Sequence, residues 1–128
     1  MPWMVELAKA RYPRTFDIES AELWFRGVVL KQPTVFYPIR TDHAFMVTLI
    51  AIIPWTPSEP EANSVMLCAE DGHMWDAIRL VRASIEWAGR RRCAKWQLNS
   101  DTDYDLEPIA RLMGANILTP RYSIRFQP

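Results

Sequence analysis

The sequence predicts one α+β domain over residues 1–128, with a single mixed, mostly antiparallel β-sheet flanked by helices. Three short stretches rich in apolar and β-branched residues follow one another in the middle of the chain. A long amphipathic helix and further strand-like stretches come after them. A chain of 128 residues is long enough to bury one hydrophobic core, and the element order fits helices packed on the faces of one sheet.

Two helices are predicted before the first strand. Trp3 to Ala10 form a short helix that the sequence YPRTFD ends. Asp17 is a good N-cap for the second helix, Ile18 to Leu30, whose apolar residues recur with helical spacing as far as Pro33.

The next segments predict a meander of three strands. The strands are Thr34 to Ile39, Phe45 to Ile53 and Val65 to Ala69. The intervening sequence PWTPSEPEANS contains three prolines and is expected to be a turn or loop.

The clearest helix is predicted from His73 to Arg91, because its apolar residues recur at steps of three and four. A fourth strand, Cys93 to Leu98, and the polar turn NSDTDYD follow. The chain then continues with a short helix, Leu106 to Met113, and two short strands around Pro120.

The charge balance argues against nucleic acid or an anionic membrane as a partner. Fifteen basic and fifteen acidic residues give zero net charge. The longest apolar run, Ala44 to Trp55, is shorter than the roughly twenty residues that a membrane span needs. Zero net charge together with six tryptophans favours a protein partner or a homo-oligomer. Four of the six, Trp24, Trp75, Trp87 and Trp96, are expected in the core or an interface.

Two cysteines, Cys68 and Cys93, are too few for a disulfide framework and are expected to be buried free thiols. No signal peptide is recognisable, so the predicted location is the cytoplasm. Cys68 is expected in the core rather than as a nucleophile, because Glu70 two residues later would oppose thiolate formation.

The segment from Val65 onward resembles the GNAT superfamily of N-acyltransferases. The resemblance rests on a central strand, a long helix, the strand CAKWQLNSD and the helix-ending sequence LEPIARLMGANI. It implies that the stretch SVMLCAEDGHMWDAIRLV, Ser64 to Val81, in which the central strand runs into the long helix, corresponds to the acyl-CoA site. The backbone of Gly72, His73, Met74 and Trp75 would then hold the pyrophosphate, and Asn99, Asp101 and Tyr104 would line the substrate cleft.

Two departures from the family pattern distinguish this chain. The family loop has the form [RQ]-x-x-G-x-[GA], whereas AEDGHMWDA has one glycine and two adjacent carboxylates that would oppose a pyrophosphate. The family often has a tyrosine four residues before the helix-ending glycine, and here Ala110 occupies that position before Gly114. The chain therefore resembles degenerate GNAT-like proteins of tailed phages.

The residues of the turn have a chemical and an ordinary interpretation. Glu70 is the candidate general base, which could deprotonate an amine directly or through water. The ordinary interpretation is that Asp71 or Gly72 caps the long helix. No metal is expected, since the two histidines, His43 and His73, are thirty residues apart without a Cys-x-x-Cys pair. The alternating aspartates of NSDTDYD resemble the start of a calcium loop, but the glycine and the glutamate that such a loop has at later positions are missing.

Two functions follow from the sequence. The first is a binding or assembly module without a cofactor, for example a virion component of a phage, located in the host cytoplasm or the virion. The alternative is an active acetyl-CoA-dependent N-acyltransferase with Glu70 or an ordered water as the base.

Overall fold

The computed structural model describes residues 2–11, 17–98, 111, 112 and 114. Within them, three helices and four strands follow one another in the predicted order. Their bounds are α1 Pro2–Arg11, α2 Ile18–Trp24, β1 Phe36–Arg40, β2 Ala44–Ala51, β3 Glu61–Ala69, α3 Met74–Arg90 and β4 Lys95–Leu98. The predicted helix Leu106 to Met113 and the two strands after it lie largely outside these residues.

Asp17 starts α2 as the sequence predicts. Its carboxylate accepts hydrogen bonds from the amides of Glu19 and Ser20, at 3.0 and 3.3 Å, and so satisfies two of the amides that a helix leaves without partners. The predicted helix then changes character, because Phe25–Val29 form a π-helical turn before the chain leaves the helix. Helical spacing of apolar residues does not distinguish these two forms of helix.

The sheet confirms the predicted fold class. Its strand order is β1-β2-β3-β4, in which β1, β2 and β3 pair antiparallel and β4 pairs parallel to β3. The parallel register runs from Glu61 opposite Lys95 to Ser64 opposite Leu98. The long helix α3 makes the connection from β3 to β4, which is the usual way to join parallel neighbours.

The prediction that EANS belongs to a loop was wrong, because β3 begins at Glu61. These four residues have low intrinsic strand propensity, but they pair with β2 on one side and β4 on the other. A 3.1 Å ion pair between Glu61 and Lys95 reinforces the start of the parallel pair. Tertiary pairing therefore overrides the local preference.

A β-bulge at Val65 changes which side chains of β3 face α3. Val47 pairs with Met66 while Thr48 pairs with Ser64, so Val65 is the extra residue. Before the bulge Ser64 faces α3, and after it Leu67 and Ala69 do. β3 therefore has side chains that face α3 on both sides of the bulge, although the alternation of side chains between the two sheet faces is interrupted at Val65.

The two faces of the sheet bury different helices. On one face, α3 packs its buried residues Ala77, Ile78, Leu80 and Val81 against Ala44, Met46, Leu67 and Ala69 of β2 and β3. On the other face, Met4 and Ala8 of α1 pack on Phe45 and Cys68. Val29, at the end of the π-helical turn, packs on Phe36 and Val47.

A buried polar network crosses the α3 side of the core. The Thr48 hydroxyl lies 3.0 Å from that of Ser64 and 2.6 Å from that of Ser84. The indole Nε1 of Trp96 donates to the Ser84 oxygen at 2.8 Å. The network joins β2, β3, α3 and β4, and it satisfies three hydroxyl groups that are fully buried.

No helix in the described part of the chain is both long enough and apolar enough to cross a membrane.

Candidate functional site

The turn between β3 and α3 is built around Gly72. Its φ of +81° lies in the left-handed region that glycine adopts most readily. The amide of His73 donates to the carbonyl of Glu70 at 3.1 Å and closes the turn. A Cβ on Gly72 would meet open space, so the backbone conformation and not a close approach accounts for the glycine.

The expectation that Asp71 or Gly72 caps α3 was wrong. The chain is still turning at Gly72, so the helix begins at Met74 and His73 occupies the N-cap position. No side chain in the described residues makes a capping hydrogen bond from that position. The first amides of α3 are thus left to other partners.

His43 lies beside this turn because β2 and β3 form a hairpin. Ala44, the first residue of β2, pairs with Ala69, the last residue of β3. The amide of Glu70 donates to the carbonyl of His43 at 2.9 Å and extends the pairing by one step. Backbone hydrogen bonds therefore connect His43 to Glu70 and Glu70 to His73.

The side chains of this turn form a cluster of two imidazoles and two carboxylates, which we name the His43–His73 cluster: His43, Glu70, His73 and Asp76. The imidazole rings stack with centroids 3.8 Å apart and an interplanar angle of 14°. Nδ1 of His43 lies 3.4 Å from a carboxylate oxygen of Glu70, and Nδ1 of His73 lies 3.3 Å from one of Asp76. Each carboxylate thus has its own imidazole partner.

The predicted site residues fall into three groups. Glu70, Gly72 and His73 lie together in the turn, with Met74 and Trp75 starting the adjacent helix. Asn99, Asp101 and Tyr104 lie outside the described residues. Trp75 is not a core residue, since 70% of its surface is exposed. Its expected place in an interface stays a prediction.

Sequence reasoning missed that His43 belongs to this site. The pairing could have been inferred from the predicted meander, because the residue before one strand of a hairpin lies near the residue after its partner. The sequence separation of thirty residues between His43 and His73 concealed that closeness.

The two cysteines differ from each other. Cys68 is fully buried against α1 and is a core residue, as predicted. Cys93 is only half-buried, so the prediction of two buried thiols was wrong for this one. Desolvation nevertheless raises the pKa of the Cys93 thiol, with the nearby charge of Arg91 acting in the opposite direction.

A small apolar cavity lies between the N-terminal helices and the sheet. Its volume is about 50 Å³, and its lining includes Met4, Ala8, Trp24, Phe45 and Met66. Pockets for small molecules usually measure about 300–1,000 Å³. The cavity is too small to hold a substrate without rearrangement.

Solved structures share this fold across almost the whole chain. A transcriptional regulator from Bacillus halodurans C-125 superposes with a TM-score of 0.77 at 14% identity, covering 97% of this chain and 91% of its own. The ribosomal-protein-alanine N-acetyltransferase from Brucella melitensis biovar Abortus 2308 gives 0.66 at 21% identity, covering 98% and 88%. The aminoglycoside N-acetyltransferase AAC(6')-Iy, solved in complex with CoA, gives 0.69 at 16% identity, covering 98% and 87%.

The protein therefore has a GNAT-type fold, as the resemblance from Val65 onward implied. At these identities the likeness is one of fold alone. No protein-family model and no curated protein sequence matches the chain.

Proposed function

We propose that the protein is a binding module on a GNAT-type fold that works by self-association and does not use acyl-CoA. The observation that carries the proposal is the His43–His73 cluster. It stands at the strand-to-helix turn where, by the family resemblance, a pyrophosphate would dock. Two carboxylates and two stacked imidazoles fill that place with side chains.

Exposed tryptophans support the self-association. Trp55 before β3 and Trp75 after it are 82% and 70% exposed, and Met74 beside Trp75 is also exposed. Aromatic residues of this size are common at the centres of protein interfaces. With zero net charge, the chain has no overall electrostatic repulsion between its copies.

Among the described residues, the small apolar cavity between the N-terminal helices and the sheet is a poor site for an acceptor. The cavity of about 50 Å³ beside the sheet is apolar, and Glu22 is the one charged residue in its lining. An acceptor amine would need more volume and more polar partners. A virion role and a location in the cytoplasm or the virion belong to the same proposal and rest on the sequence resemblance alone.

The second candidate is an acetyl-CoA-dependent N-acyltransferase. It is favoured by the start of α3, where His73 makes no capping hydrogen bond in the described structure. Amides at a helix start attract anions such as phosphates. Two of the three similar structures described above are N-acetyltransferases, one of them bound to CoA. Glu70, which is half-exposed, would be the base in that case.

Two measurements on the full chain separate these candidates. The first is a thermal-shift titration with acetyl-CoA, coenzyme A and buffer. A ligand at about a hundred times its dissociation constant stabilises by about 2.7 kcal/mol, which raises Tm by several degrees. We expect no shift at millimolar ligand. A shift of that size would overturn the binding-module proposal and make Glu70→Gln the next variant to assay for acetyl transfer.

The second measurement is sedimentation equilibrium across a range of protein concentrations. We expect concentration-dependent association that Trp75→Ser or Trp55→Ser weakens. Arg82→Ser, at an exposed position of α3, is the matched control and should associate like the original protein. A monomer at every concentration would contradict self-association.

A further inference from the structure

We propose that His43, Glu70 and His73 bind a divalent transition metal ion, with zinc as the best match. This inference goes beyond the proposed function and does not depend on it. It also reverses the sequence-based expectation that the chain has no metal site.

The three side chains are close enough to share one ion. One possible donor atom from each lies within 4.8 Å of the donor atoms of the other two. Nδ1 of His43 and the nearest oxygen of Glu70 are 3.4 Å apart. Two ligands on a tetrahedral zinc ion are roughly 3.3 Å apart, given bonds of about 2.0–2.1 Å. This pair therefore already has the spacing of two ligands.

The spacing is also too long for a good hydrogen bond. Donor and acceptor atoms in an N–H···O bond are usually about 2.7–3.2 Å apart. An ion between His43 and Glu70 would convert this weak contact into two coordinate bonds.

The backbone holds the three residues in place without the ion. The hydrogen bonds from Glu70 to the His43 carbonyl and from His73 to the Glu70 carbonyl fix the separations of the three Cα atoms. A Thr41 hydroxyl that accepts from the amide of His43 at 3.1 Å fixes the bend before β2. Only side-chain rotation is then needed to direct the donor atoms at one point.

That rotation is sterically open, because all three side chains are partly exposed to solvent. Their exposed fractions are 45% for His43, 42% for Glu70 and 36% for His73. The rings stack in nearly parallel planes, so coordination requires at least one ring to turn about its χ2 angle. Solvent access also gives the ion a path to the site.

Asp76 supplies the outer contact that metal-binding histidines usually have. Its carboxylate lies 3.3 Å from Nδ1 of His73, slightly beyond the usual hydrogen-bond range, and a small movement of either side chain would let it accept that N–H and leave Nε2 as the ligand nitrogen. Asp76 is held in turn by Arg79, at 3.8 Å. A histidine oriented by a carboxylate is a common arrangement at zinc sites.

The donor types select the ion. Two imidazoles and one carboxylate suit zinc and its first-row neighbours, whereas magnesium and calcium prefer oxygen ligands throughout. Three protein ligands leave one position of a tetrahedral ion for water or for a group from a partner.

The test is a zinc titration of the full chain made without a polyhistidine tag, after treatment with a chelator and its removal. Isothermal titration calorimetry and competition with a chromogenic chelator give stoichiometry and affinity. We expect one zinc ion per chain. The double variant His43→Gln/His73→Gln should lose this binding, and Glu70→Gln should weaken it at least about tenfold. Glu59→Gln, at an exposed carboxylate in the β2–β3 loop, is the matched control and should bind as the original protein does.

Asp76→Asn tests the outer contact, and we expect it to weaken zinc binding by about 10–100-fold. Circular dichroism shows whether each variant folds. If the double variant does not fold, the imidazole proton resonances of the original protein decide, because zinc should shift the signals of both histidines together. Three results would each overturn the proposal. They are zinc binding weaker than a dissociation constant on the order of 100 micromolar, imidazole signals that do not shift when zinc is added, and full zinc stoichiometry in a folded double variant.

Discussion

The hydroxyl oxygens of Thr48 and Ser84 lie 2.6 Å apart at the interface of β2 and α3, where both residues are fully buried. Ser84 is the central member of the network, since Trp96 also donates to it. Ser84→Ala leaves the Trp96 indole N–H without its partner inside the protein. We expect the free energy of unfolding to fall by about 1–3 kcal/mol in urea denaturation. Ser58→Ala, at an exposed position, should change it little, and equal effects of the two would contradict this account.

Gly72 and Gly89 should respond to alanine with opposite signs. At Gly72 the positive φ makes alanine strained, and we expect a loss of about 1–2 kcal/mol in the free energy of unfolding. At Gly89, within α3, an added Cβ meets no other atom, and alanine should stabilise by about 0.5–1 kcal/mol. Urea denaturation of the two variants gives both values. Stabilisation by Gly72→Ala would show that the turn has a different conformation.

Tyr37 of β1 and Trp87 of α3 stack with ring centroids 5.0 Å apart and an angle of 6°. Tyr37→Leu removes the stack. We expect the free energy of unfolding to fall by about 0.5–1.5 kcal/mol more than the lost buried area alone accounts for. Tyr37→Phe keeps the ring and should unfold at nearly the urea concentration of the original protein. If both variants lose the same stability, the phenol hydroxyl rather than the stack is responsible.

The Cys93 thiol should react slowly with a thiol reagent at neutral pH. Burial raises its pKa, so less of it is thiolate than in a free cysteine. The rate at which the reagent labels Cys93 should therefore keep rising at pH values where the labelling rate of glutathione has already reached its plateau. In Cys93→Ser only Cys68 remains, and because it is fully buried, labelling should require unfolding. Rapid labelling of folded Cys93→Ser would contradict this assignment.

Much of the fold could be predicted because local patterns carry it. The spacing of apolar residues located α3, and the density of β-branched residues located β2. The start of β3 at Glu61 could not be located in this way, since its pairing depends on strands elsewhere in the chain. The bulge at Val65 was also hidden, because Val65 and Met66 are both apolar and alternation cannot show which is extra.

The residues of the candidate site also differ in whether a local sequence pattern can reveal them. Glu70 and His73 could be selected from one continuous stretch of sequence, because a strand-to-helix turn has a local signature. His43 has no such local signature and could be placed there only through the predicted meander, because its position depends on the register in which Ala44 pairs with Ala69. Chemistry that arises from a hairpin's two outer ends becomes visible only when that register is known.

The parallel pairing of β3 with β4 also has a kinetic meaning. The antiparallel strands join partners close in sequence, such as Arg40 and Phe45, whereas Glu61 must find Lys95 across the whole of α3. Contacts between distant residues form late, because closing the loop costs entropy before the contacts stabilise it. We therefore expect β4 to be the last described strand to join the sheet during refolding. Trp96, which lies on β4 and bonds to Ser84, would report that final step through its fluorescence.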